Sequence, residues 1–189
     1  MPTSVAVPKT KLKRPPFDIH KLGDRVLRQP AKRVAKVDDS IRELARQMLQ
    51  TMYSADGIGL AAPQVGINKR LIVVDCDPDK PDAEALVLIN PEIKNHSNDG
   101  VLGEEGCLSI PAVFLDVKRP SKITVSFKDV TGRPKRIKAD GLLARVIQHE
   151  IDHLDGVMFV DRVENGIQRT QELSSHGFNP RDVVPYSES

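Results

Sequence analysis

Residues 140–156 read DGLLARVIQHEIDHLDG. Asp140 offers a helix cap and Gly156 a stop, so the stretch between them reads as a helix over residues 142–155. Its apolar positions, Leu142, Leu143, Val146, Ile147, Ile151 and Leu154, lie nearly all around the helix axis. A helix patterned in this way is buried on most sides. His149, Glu150 and His153 stand in its middle, where polar groups are costly unless they are paired or bound to a metal.

Upstream, the chain supplies what could cover such a helix. Ile123, Val125 and Phe127 alternate with Thr124, Ser126 and Lys128, a half-buried strand. The sequence DVTG at 129–132 reads as a turn, and residues 135–139 return as a second strand. Residues 70–75 and 86–90 are apolar runs of strand length, while GIGLAAPQVG at 57–66 reads as a loop. Asp38, Asp39 and Ser40 offer caps for an earlier helix in which Ile41, Leu44, Ala45, Met48, Leu49 and Met52 keep helical spacing. The order helix, strands, helix predicts an α+β fold with mainly antiparallel sheets wrapped around the buried helix that carries the H-E-x-x-H sequence. Residues 1–16 hold four prolines and read as a loose basic arm, 17–166 as the domain, and 167–189 as a loose polar tail.

Composition narrows the class. The chain has 189 residues, 39% hydrophobic and 29% charged, enough for one domain with a core. No apolar run approaches the roughly 20 residues of a membrane span. Net charge is only +2, yet residues 1–36 hold ten Lys or Arg against Asp18 and Asp24. Three readings of this arm stand: a solvated basic segment, a contact with RNA or a membrane surface, or a short transit peptide. Two widely spaced cysteines, Cys76 and Cys107, make no disulfide framework. The expected location is the cytoplasm, with an organelle not excluded, and there a thiol can serve as ligand or nucleophile.

His149-Glu150-Ile151-Asp152-His153 carries the chemistry. Residues four apart share a helix face, displaced by roughly 40° and 6 Å along the axis, so both imidazoles can reach one metal ion. Glu150 sits about 100° from His149, close enough to meet an activated water without being a ligand. A third ligand must come from elsewhere. Phe159 stands where one class of H-E-x-x-H peptidases has a histidine, and Glu164 and Glu172 lie near or in the weakly patterned tail. Cys107, just after Gly106, is the better candidate. A Cys-His-His set leaves a fourth position for water. An H-E-x-x-H metallopeptidase and a non-catalytic zinc-stabilised module, with Cys76 as the other thiol, remain alternatives at this point.

Three segments together resemble the peptide deformylase family: residues 57–66 (GIGLAAPQVG), 105–109 (EGCLS) and 148–153 (QHEIDH). The resemblance extends more loosely from about residue 17 to about residue 162. It implies removal of the N-formyl group from the N-terminal methionine of new polypeptides, with release of formate. It further implies Cys107, His149 and His153 as metal ligands and Glu150 as general acid/base. Gln64 and the backbone N–H of Leu108 match the oxyanion donors, Gly59 a backbone contact to substrate and Ile58 part of the methionine pocket. Glu105 and Arg119 match an ion pair. Phe114 stands where some relatives have an arginine at the pocket mouth, and Arg145 where some have an aliphatic residue. The implied cofactor is one divalent ion, Fe(II) favoured in the cell, with Zn, Ni or Co as substitutes. The implied partners are N-formyl-methionyl peptides and, transiently, the ribosome, with no membrane.

Overall fold

Among the described residues, all pairings between the named strands are antiparallel, and these strands form two separate sheets. A computed structural model describes residues 5–187. Helix α1 (Asp39–Ser54) is followed by β1 (Gly59–Ala61), β2 (Leu71–Val74) and β3 (Leu86–His96). A hairpin of β4 (Val101–Cys107) and β5 (Ile110–Arg119) precedes a second hairpin, β6 (Lys122–Lys128) and β7 (Pro134–Asp140). Helix α2 (Gly141–Leu154) and helix α3 (Gly166–Ser175) complete the chain order. The five-stranded sheet runs β1-β2-β3-β6-β7, and β4-β5 stands apart as a two-stranded sheet.

Strand β2 is apolar throughout because it is covered on both faces. Leu71 and Val73 join the cluster under α1, whereas Ile72 and Val74 join the cluster under α2. Alternate side chains of a strand point to opposite faces, so one four-residue run ties both helices to the sheet. Asp38 caps α1 by accepting from the Ile41 N–H at 3.2 Å. Asp140 occupies the corresponding position of α2, but its side chain makes no capping bond. From Val146 to Leu154 every residue of α2 is buried. Gly156 then ends the run with φ of 74°, and a Cβ there would sit 2.7 Å from the Arg28 carbonyl oxygen.

Three expectations need correction. The stretch expected as a loop at 57–66 contains β1 and a 3₁₀ turn, Ala62–Val65. The expected loose tail is helical over Gly166–Ser175, because Leu173 is fully buried with Phe178 and Val183 packed on the same cluster. The described part of the arm is also held. Val5 lies in the α1 core, and the Lys9 ammonium lies 2.6 Å from Asp75 and donates to the Lys80 carbonyl at 2.8 Å. Residues 1–4 and 188–189, the outer ends of those two expected segments, lie outside the described residues. Among the described residues, no helix is long and apolar enough to cross a membrane.

Candidate active site

The thiol and the imidazoles come from different pieces of the fold. Cys107 ends β4 and pairs with Ile110 across the tight turn made by Leu108 and Ser109. His149 and His153 lie one turn apart on α2. The Cys107 sulfur is 3.3 Å from Nε2 of His153, which is 3.3 Å from Nε2 of His149. All three donor atoms lie within 4.8 Å of one another. Two nitrogens bound tetrahedrally at ~2.0–2.1 Å would be roughly 3.3 Å apart, so the spacing fits a single divalent cation. Neither Cys76 nor any other histidine belongs to this cluster among the described residues. The zinc-module alternative therefore lacks a fourth protein ligand here.

The surroundings fix the orientation of His149. Its Nδ1 donates to Oε2 of Glu105 at 3.0 Å, which leaves the Nε2 lone pair facing Cys107 and His153. Burial pushes His149 down, but hydrogen bonds with Cys107 and Glu105 outweigh it and hold the imidazole well above its ordinary range. His153 is pushed the other way, by burial and then by His149, and its Nδ1 has no hydrogen-bond partner among the described residues. Phe159, which stands where a peptidase of another class would have its third histidine, stacks on His149 with centroids 5.8 Å apart.

Glu105 is itself held. Arg119 donates to both of its oxygens, at 2.5 and 2.9 Å, and reaches Asp152 at 2.9 Å. Arg162 grips the same Asp152 at 2.6 and 2.8 Å. Burial opposes the charge on Glu105, but the Arg119 and His149 bonds win and keep its carboxyl well below the usual range. In a buried network of this kind the loss of one partner strands the others at a cost of about 3–5 kcal/mol. Asp152 and Arg162 are functional supports that the motif reading passed over. An acid inside an otherwise buried helix was the available signal.

Glu150 faces the opposite wall. It is 3% exposed, and its Oε2 has no hydrogen-bond partner among the described residues. Burial pushes its carboxyl up to about 7. A Cβ on Gly59 would collide with this carboxylate and crowd Val146, so glycine there leaves Glu150 its place against β1. Gln64 sits on the 3₁₀ turn after β1. The Ala61 N–H donates to its Oε1 at 2.9 Å, which turns the amide nitrogen toward Ser109, 3.1 Å away, and the Cys107 sulfur, 3.6 Å away. Ile58, Gly59, Gln64, Cys107, Leu108, His149 and Glu150 all line one cleft of about 620 Å³. Phe114 and Leu142, each more than half exposed, line it too. The structure thus brings all the expected site residues together, seven of them lining this cleft and His153 clustered with Cys107 and His149.

Comparison with known proteins agrees with this geometry. A family profile described as polypeptide deformylase matches residues 16–169. The peptide deformylase of Thermosynechococcus vestitus is 65% identical over 185 residues, covering 98% of each chain. That of Microchaete diplosiphon is 62% identical, covering 98% of this chain and 99% of its own. A crystal structure of a peptide deformylase from Synechococcus elongatus in complex with actinonin superposes with a TM-score of 0.94 at 61% identity, covering 95% of this chain and 98% of that one. One from Legionella pneumophila gives 0.79 at 42% identity, covering 85% and 92%. The chain belongs to the polypeptide deformylase family.

Proposed function

We propose that residues 17–166 form the catalytic unit of a metal-dependent hydrolase that removes the formyl group from N-formyl-methionyl peptides. The observation that carries this reading is the convergence of Cys107, His149 and His153 within 4.8 Å, at a cleft lined by Cys107, His149 and the buried Glu150. A divalent ion held by those three side chains would lower the pKa of a water toward neutrality and polarise the formyl oxygen. Glu150 removes a proton from that water as its oxygen attacks the formyl carbon. A carboxyl near 7 suits the task, because it can both accept and return a proton at neutral pH.

As the C=O bond opens, negative charge grows on the formyl oxygen. The amide nitrogen of Gln64, aimed across the cleft by the Ala61 N–H, donates to it, together with the backbone N–H of Leu108. Glu150 then gives its proton to the leaving amine nitrogen, the C–N bond breaks, and formate and a free N-terminus depart. Ile58 provides an apolar wall for the methionine side chain, and the Gly59 backbone lies where an extended peptide can pair with it.

The one thiolate and two imidazoles suit ferrous iron or zinc; we assign Fe(II) in the cell, with Zn, Ni and Co as substitutes. Two free thiols, Cys76 and Cys107, support a reducing cytoplasmic setting, and the substrate class supports a transient encounter with the ribosome. Formate release from an N-formyl-Met peptide, with metal content measured on the same sample, tests the reading. Cleavage of unformylated protein without formate release would favour the peptidase alternative instead.

A further inference from the structure

The site exists only where the β4-β5 hairpin meets α2, since the hairpin carries the thiol and α2 carries both imidazoles. One side chain on α2 reaches across that seam to both strands. Arg145, one turn before His149, donates from Nη1 to the Val117 carbonyl at 2.8 Å, to Oε1 of Glu105 at 2.9 Å and to the Gly103 carbonyl at 3.3 Å. Its Nη2 donates to the Val101 carbonyl at 2.8 Å. Only 15% of the side chain is exposed.

The strand is shaped to receive it. A Cβ at Gly103 would lie 2.8 Å from both Cζ and Nη2 of Arg145, so the guanidinium rests flat against backbone that must be glycine. The grip also reaches the ligands. Arg145 takes Oε1 of Glu105, while His149 uses Oε2 of the same carboxylate. Although Arg145 borders the cleft, its donors are directed at four acceptors on the hairpin, and a substrate carboxylate would have to displace them.

We infer that Arg145, seated in the gap left by Gly103, is a positioning residue that sets the spacing of the Cys107 thiol against the two imidazoles. The inference rests on the metal-dependent deformylase reading. Groups that orient ligands through a hydrogen-bonded intermediary are typically worth ~10–100-fold in metal affinity or activity. Lysine would keep the charge but lose the planar fork that meets several acceptors at once.

The test uses cobalt-loaded wild type, Arg145→Met, Arg145→Lys, Gly103→Ala and the Arg145→Met/Gly103→Ala double variant. Two readouts need no substrate: the rate of cobalt release to excess chelator, and the visible absorption spectrum that reports cobalt geometry. Arg145→Met and Gly103→Ala should each speed release ~10–100-fold, alter the spectrum, and lower kcat for N-formyl-Met-Ala-Ser more than they raise KM. Arg145→Lys should fall between them and wild type. The double variant should be no worse than Arg145→Met, because both changes remove one interaction. An unchanged spectrum and release rate with only a lowered Tm would overturn the inference and leave a plain hairpin clamp. A rise in KM alone would overturn it in favour of substrate binding. If Arg145→Met does not fold, Arg145→Lys and Gly103→Ala decide on the same readouts. Cobalt release remains decisive for Arg145 even if wild type yields no formate, the result that would sink the deformylase reading alone.

Discussion

Gly59→Ala places a methyl group into the narrow space between β1 and α2. An ideal Cβ at that position lies 2.9 Å from Cγ1 of Val146 and 3.0 Å from Cδ of Glu150, and closer still to the Glu150 carboxylate oxygen. Carbon atoms are comfortable at about 3.5 Å or more, so the Glu150 side chain must retreat by roughly 0.5–1 Å. The carboxylate is the free end of a flexible side chain and can retreat, whereas the contact with the buried, β-branched Val146 must lower Tm. Catalysis cannot absorb the retreat as easily. A misplacement of about 1 Å can cost ~10²-fold in rate, which is about 2.7 kcal/mol in barrier height. We expect kcat to fall by ~10² with metal content unchanged and KM moving less. Formate release followed with a formate dehydrogenase couple measures the rate, and metal analysis of the same sample measures occupancy. Glu150→Asp shortens the crowded side chain, so the double variant should lose less than the two single losses combined, with a coupling of ~0.5–3 kcal/mol. Wild-type kcat in Gly59→Ala, or strict additivity in the double variant, would refute the claim that glycine is required here to make room for the base.

Gln64→Ala should lower kcat by ~10²–10³, as removal of one oxyanion donor does, with a smaller change in KM; a rise in KM alone would make Gln64 a binding residue. Lys9→Ala should destabilise the fold in a pH-dependent way. Burial opposes the charge on Asp75, but hydrogen bonds from Lys9 and Tyr53 outweigh it and hold the carboxyl below its ordinary value. A depressed carboxyl contributes stability above its unfolded pKa near ~3.9 and loses it as pH falls through the folded value. The stability deficit of Lys9→Ala, read by denaturant unfolding, should therefore be clear at pH 7, on the order of 1–3 kcal/mol, and shrink as Asp75 protonates; a deficit that does not vary with pH contradicts the pairing. For the metal, an anaerobic ferrous form should exceed a zinc form of equal occupancy in kcat/KM and lose activity in air, because iron and thiolate both oxidise. Equal activities, or air-stable iron activity, would count against Fe(II).

Much of this site was legible because it is local. His149, Glu150 and His153 occupy one turn, and the helix around them is apolar on nearly every side, which the burial of α2 from Val146 onward matches. Cys107 could be proposed from its place after Gly106, although its strand was not recognised. In β4, Gly103, Gly106, Glu104 and Glu105 break the alternation that marks a strand. The signal in β5 was present, since Val113, Leu115, Val117 and Arg119 alternate inward, but Pro111 and the charges between them masked it. The supports were legible only in part: the resemblance pairs Glu105 with Arg119, but no sequence pattern pairs Arg119 or Arg162 with Asp152. Arg119 meets Asp152, 33 residues away, Arg162 meets the same acid, and Lys9 meets Asp75. Such pairings depend on the packing of distant segments and leave no local pattern. The tail misled for a related reason, because Leu173 alone is buried on α3 and one apolar position makes no periodicity.

The most direct test of the account compares wild type with Glu150→Gln, each loaded with nickel to measured occupancy, for formate release from N-formyl-Met-Ala-Ser. Glu150 is adjacent to His149 but is not one of the clustered donors, so the variant should hold the same amount of metal. The account predicts stoichiometric formate and free peptide from wild type, and a rate at least ~10²–10⁴ lower from Glu150→Gln. Wild-type turnover by the metal-loaded variant would contradict the role of Glu150, and no formate from metal-loaded wild type would contradict the function itself.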